Sequence, residues 1–126
     1  IFTQFEDMHA RKAFPSFDEP AFKIAYQMTI TSPEKHVVVS NTPVASRTVE
    51  NGEQTVVFEK TKPMPTYLIA YAVGPFDSAE LTGLSVPGKV YVPKGYADKT
   101  KFVVKHTPEI LASLEAFFDL NIRIKS

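Results

Sequence analysis

The side chains able to do chemistry are few, and their spacing excludes more than it offers. Cysteine is absent, so disulfides, thiolate metal sites, iron–sulfur clusters and cysteine nucleophiles are excluded together. His9, His36 and His106 are the only histidines. They lie far apart, and none belongs to an H-E-x-x-H pattern, whose one-turn spacing puts two imidazoles on one helix face. The chain therefore holds no self-contained zinc site and is expected to bind no metal. No G-x-S-x-G elbow supports a serine nucleophile, and the five glycines do not form a phosphate loop. Asp18 and Glu19 are adjacent, but neighbours on an extended segment point to opposite sides, so they are not expected to act on one substrate as a carboxylate pair. Instead, Arg11 is expected to pair with Asp18 or Glu19. That pairing would clamp a rigid corner made of Arg11, Phe14, Pro15, Phe17, Asp18, Glu19 and Pro20, with Phe14, Phe17 and Phe22 packed beneath it. Met64 and Tyr67 read as core or domain-interface residues.

The elements that must hold such a corner come from a chain of 126 residues, the size of one domain. Fourteen basic and fourteen acidic side chains give a net charge of zero. Without a Lys/Arg block there is no electrostatic footprint for nucleic acid or an anionic membrane. Hydrophobic residues make up 44%, enough for a core. The longest apolar run, residues 67–73, falls far short of the roughly 20 residues of a membrane span. Ten prolines exceed the roughly 5% that is typical, and with ten phenylalanines they imply many fixed corners. The sequence opens on Ile1 without a signal-peptide pattern, so it is expected to be a piece of something longer.

Alternation of apolar and polar residues over 22–31 predicts a strand with one buried face. A short β-branched strand over 36–40 follows, ending at Asn41-Thr42-Pro43. Residues 46–50 and 53–60 flank Asn51-Gly52, the pair best suited to a type I′ hairpin turn. Residues 66–73 are apolar on both faces, which suits a central strand, and two more strands are expected at 76–81 and 89–92. Val103, Thr107, Ile110, Leu114 and Phe117 then recur at helical spacing. Pro108 within them predicts a helix over about 97–118 that is kinked or in two pieces, the second capped by Thr107. The fold class is mainly β: an antiparallel sandwich or saddle-like sheet portion followed by a C-terminal helix.

The opening segment carries a specific resemblance. Thr3-Gln4-Phe5-Glu6 followed by Ala10-Arg11-Lys12-Ala13-Phe14-Pro15-Ser16-Phe17-Asp18-Glu19-Pro20-Ala21-Phe22-Lys23 resembles the signature of the aminopeptidase N-like zinc metallopeptidases. Ser40-Asn41-Thr42-Pro43, Lys62-Pro63-Met64-Pro65-Thr66-Tyr67-Leu68 and Ala70-Tyr71-Ala72-Val73-Gly74-Pro75-Phe76 resemble three further family motifs in the family's order. The resemblance implies that residues 1–95 are the latter part of an all-β N-terminal domain and 96–126 the helical start of a thermolysin-like catalytic domain. It also implies a parent enzyme that uses zinc to remove N-terminal residues from peptides. The family's G-A-M-E-N loop and H-E-x-x-H helix are absent from this chain, which is therefore expected to contain no catalytic residue and to be inactive alone. In the family, the glutamine and glutamate of Q-F-E project into the active site. By resemblance, Glu6 would bind the substrate's protonated α-amine and Gln4 would help line the first side-chain pocket. An exopeptidase must register a free amine, and a fixed carboxylate gives it a charge-assisted hydrogen bond that an internal peptide N–H cannot match.

Two departures accompany the match. Ser16 stands where many members have cysteine. At the far end Phe117, Phe118 and Ile122 begin like the family's F-F-x-x-x-I, but Arg123-Ile124-Lys125-Ser126 replaces its P-Y-P continuation. A rival reading is a non-catalytic β-sandwich binding or scaffold module that lacks a metal domain. Missing earlier strands would leave sheet edges unpaired, so self-association through those edges is also expected.

Overall fold

The computed structural model describes residues 1–119. Ile122 and the Arg123 to Ser126 departure lie outside them. The chain divides into two compact units, Ile1–Gly74 and a second beginning at Pro75.

The first unit contains β1 (Thr29–Pro33), β2 (Val37–Ser40), β3 (Val44–Glu50), β4 (Glu53–Phe58) and β5 (Tyr71–Gly74). β4 lies between β1 and β3 in an antiparallel sheet, and β2 pairs antiparallel with β5. The β3–β4 hairpin turns where the sequence places it. Asn51 and Gly52 have φ of 52° and 81°, the two positive values that a type I′ turn requires. β4 shows a period-two burial, with Gln54, Val56 and Phe58 inward. Gln54 is a buried amide with every bond made: its Nε2 donates to His36 O (2.6 Å) and Ser32 Oγ (3.2 Å), and its Oε1 accepts from Arg47 Nε (2.7 Å).

Two expected strands are shorter than their patterns suggest. Of residues 22–31, only the part from Thr29 onward is regular strand. The rest runs extended beside residues 58–64, touching through an Ile24–Met64 bridge, Thr61 N to Tyr26 O (2.8 Å) and Phe58 N to Met28 O (2.9 Å). Met28 lies opposite Phe58, Tyr26 opposite Thr61 and Ile24 opposite Met64, so the register slips by one residue twice and a continuous ladder does not form. Residues 66–73 split in the same way: Thr66–Leu68 is a 3-10 turn, and the strand is Tyr71–Gly74. That strand is central in its pairing, because residues 1–3 occupy the edge opposite β2. Thr3 N donates to Tyr71 O (3.1 Å) and Val73 N to Ile1 O (2.8 Å). Asn41, in the turn after β2, fixes the approach to β5 by donating to Leu68 O (2.9 Å) and accepting from Ala70 N (2.8 Å).

The second unit is the antiparallel hairpin of β6 (Phe76–Leu81) and β7 (Gly88–Pro93), a 3-10 turn at Ala97–Thr100, and α1 (Lys101–Phe118). α1 runs through Pro108, and Asp119 ends it in the left-handed conformation. The change of helix type falls at Thr100/Lys101 and not at Thr107. The Thr107 hydroxyl donates back to Val103 O (2.7 Å) instead of capping a new helix. α1 packs on β6 and leaves Val103, Ile110, Leu114 and Phe117 exposed. Among the described residues no helix is long and apolar enough to cross a membrane. The molecule is thus mainly β with antiparallel sheets and one C-terminal helix.

Candidate functional site

The segment that carries Gln4 and Glu6 is built around Phe5. Residues 1–3 are fixed to β5, and a turn begins at Glu6. Phe5 turns inward and is 6% exposed, while Gln4 and Glu6 on either side are exposed. The Phe5 ring meets Phe14 and Tyr71 edge to face, with centroids 6.1 and 6.3 Å apart, a favoured aromatic geometry. Ala10 and Ile69 complete the buried cluster, with Tyr26, Met28 and Met64 against it. Beyond Glu6 the chain reverses: His9 N donates to Phe5 O (2.9 Å) and Ala10–Lys12 forms a 3-10 turn. Gln4 and Glu6 therefore leave the fold together from an anchored residue, and Glu6 N donates to Gln4 Oε1 (3.4 Å). Among the described residues the Glu6 carboxylate has no hydrogen-bond or ion-pair partner, which leaves both oxygens available to a ligand.

The corner beside this segment is organised by Asp18, which is 3% exposed. One carboxylate oxygen accepts from the Thr66 hydroxyl. The other accepts from Arg11 N (3.1 Å) and Arg11 Nε (3.4 Å), while Arg11 Nη2 donates to Asp18 O (2.8 Å). The Thr66 hydrogen bond, opposed by burial and aided by Arg11, holds the Asp18 carboxyl below its ordinary pKa. Burial, with the Asp18 charge nearby, raises that of Tyr26. Arg11 thus pairs with Asp18, and Glu19, Pro15 and Pro20 lie exposed.

Of the three rings expected beneath the clamp, only Phe14 packs there. Phe17 (79% exposed) and Phe22 (49%) instead stack on one another at 5.4 Å. They line an open apolar groove of about 560 Å³ with Ile24, Tyr26 and Pro15. Phe5 comes from outside the corner motif and takes the inner position, and only Phe14 is placed to meet it.

Thr66 is the member of this site that the residue pattern did not single out. Its signal was available: it is the first residue of an otherwise apolar run, and a buried hydroxyl needs a partner. The histidines are not brought into a donor set. His9 is exposed, and His106 stacks on Phe102 (4.4 Å) with Nδ1 3.8 Å from Glu109. No group of three or more His, Asp or Glu side chains comes together among the described residues.

Two outcomes follow from the clamp. Arg11→Ala removes two side-chain bonds from a half-exposed guanidinium, and a thermal melt should show a loss of about 5 °C. An unchanged melt would mean that the pair does not clamp. A depressed folded pKa means that the native state binds fewer acid protons than the unfolded chain. The contribution of Asp18 is therefore complete above the unfolded aspartate pKa of about 3.9 and is lost as pH falls through the lower folded value. Urea unfolding midpoints should fall between pH 5 and pH 2, and Asp18→Asn should flatten that fall.

Residues 1–68 match the family model described as the Peptidase M1 N-terminal domain. Similar curated proteins include aminopeptidase N of Acetobacter pasteurianus, 37% identical over 119 residues, covering 94% of this chain and 34% of that protein. Aminopeptidase M1-B of Oryza sativa subsp. japonica is 39% identical, covering 92% of this chain and 13% of that protein. Glutamyl aminopeptidase of Homo sapiens is 34% identical, covering 96% and 13%. The chain thus spans between about an eighth and a third of the length of these relatives.

Proposed function

Since the chain belongs to the Peptidase M1 N-terminal domain family, we propose that it is part of an aminopeptidase and supplies the anchor for the substrate's free amine. The observation that carries this reading is the Gln4-Phe5-Glu6 geometry: a buried ring between two exposed polar side chains, one a carboxylate with no partner among the described residues. Glu6 accepts hydrogen bonds from the protonated α-amine, and Gln4 borders the first side-chain pocket. A blocked or internal peptide nitrogen carries no such charge, so the contact selects chain ends.

On this reading residues 1–95 belong to the N-terminal β domain and 96–126 open the catalytic domain. The division at Gly74 reflects how the described residues pack. The described residues do not fit a zinc site. In the parent enzyme zinc would supply the activated water and polarise the scissile carbonyl, held by residues outside this chain. The peptide N-terminus is the partner. β3, exposed along its whole length at the edge of its sheet, is the edge through which copies of the isolated chain would associate.

The division of labour is tested on the purified 126-residue protein. It should neither bind zinc stoichiometrically nor turn over an alanyl chromogenic substrate, whereas the full-length protein containing it should do both. Tight one-to-one zinc binding by the isolated chain would overturn the reading.

A further inference from the structure

We infer that Thr66 is a positioning residue for Gln4 and Glu6, acting from both its hydroxyl and its carbonyl on the residue that lies between them. The inference rests on the reading of those two side chains as the amine site.

Thr66 is 3% exposed and sits 60 residues from Glu6 in sequence, yet two short routes join it to Phe5. The first runs through its hydroxyl to Asp18, whose other oxygen holds Arg11 N (3.1 Å). Arg11 lies in the Ala10–Lys12 turn. Ala10 in that turn is fully buried against Phe5, and His9 just before it donates to Phe5 O (2.9 Å). The second runs through its carbonyl, which accepts from Ile69 N (3.0 Å) and closes the 3-10 turn that sets Ile69 (2% exposed) in the same cluster. Phe5 is therefore packed with both Ala10 and Ile69, and among the described residues Thr66 is bonded into both arms. Gln4 and Glu6 are joined to Phe5 through its own two peptide units, which are planar and stiff, so a displaced Phe5 carries the backbone of both neighbours with it. Removing the hydroxyl frees one arm and also leaves a buried Asp18 oxygen without its donor, which favours rearrangement of the corner.

The test uses the full 126-residue chain, labelled with 15N and 13C, as wild type, Thr66→Val, Thr66→Ser and Asp18→Asn. One readout is the heteronuclear NOE of the Gln4, Phe5 and Glu6 amides. The other is the Glu6 side-chain carboxyl shift during titration with L-alaninamide, with N-acetyl-L-alaninamide as the blocked control. Amides of the β3–β4 hairpin report general destabilisation. Thr66→Val is expected to lower the NOE at residues 4–6 and to reduce the alaninamide response while the hairpin amides stay in place. Thr66→Ser should restore both readouts. Should Thr66→Val fail to fold, Asp18→Asn carries the comparison, with the same local loss expected. Wild-type values at residues 4–6 in both Thr66→Val and Asp18→Asn would overturn the inference. So would a loss that Ser does not rescue and that spreads equally through the hairpin. If the wild-type Glu6 carboxyl ignores alaninamide, the amine-site reading fails, and the NOE comparison still decides whether Thr66 orders the segment.

Discussion

Phe5→Ala is expected to cost the first unit about 3–5 kcal/mol, the range for removing a buried phenylalanine from a packed core. The size of the effect follows from how little else is buried. Proline aside, the buried hydrophobic residues among those described are Phe5, Ala10, Val56, Phe58 and Ile69, and Phe5 with Ala10 and Ile69 forms one cluster. Truncation also removes the edge-to-face contacts with Phe14 and Tyr71, and the cavity lies between a 3-10 turn and a strand that are tied by backbone bonds and cannot collapse freely. For a unit of this size each kcal/mol moves the melting temperature by roughly 4–8 °C, so the variant should melt more than about 10 °C lower. Phe5→Leu, which keeps most of the volume, should lose much less. Urea unfolding of the two variants checks this, and a loss for Phe5→Ala within about 1 kcal/mol would show that Phe5 is no anchor.

Much of the architecture was written in local residue patterns. Asn51-Gly52 specified the hairpin because few other pairs accept two positive φ angles. The helical spacing of Val103 to Phe117 specified α1. Alternation alone does not set what a segment pairs with. The pattern over 22–31 correctly describes an extended segment, but a regular strand also needs a constant register with its partner, and here the pairing slips by one residue between Met28 and Tyr26 and again between Tyr26 and Ile24. An apolar run such as 66–73 fits a strand or a buried turn equally well, and here it holds both. At the site, the Arg11–Asp18 pair was legible because opposite charges in a rigid corner have few alternatives. The inward ring was not: whether Phe5 or Phe17 fills the corner depends on residues 1–3 pairing with β5, a contact about 70 positions distant in sequence that no local pattern encodes. Thr66 escaped for the same reason, since its partner Asp18 lies 48 residues away.

Glu6→Ala should affect catalysis far more than folding. Glu6 is exposed and without a partner among the described residues, so its removal leaves no cavity and strands no buried group, and the melting temperature should hardly move. In the full-length enzyme the same change deletes a charge-assisted hydrogen bond to the substrate amine. Such bonds contribute enough to lower kcat/KM by about 10- to 100-fold. Because the amine is held in the ground state as well as the transition state, much of the loss should enter through KM. Glu6→Asp keeps the charge on a shorter arm and should recover part of it, and Gln4→Ala should alter preference among first residues more than rate.

The decisive measurement is the kinetics of Glu6→Ala beside wild type in the full-length protein, using an alanyl chromogenic substrate. The reading of Glu6 as the amine anchor predicts a raised KM and a kcat/KM lower by at least about tenfold, with the melting temperature unchanged. Wild-type kinetics in a folded Glu6→Ala enzyme would contradict it.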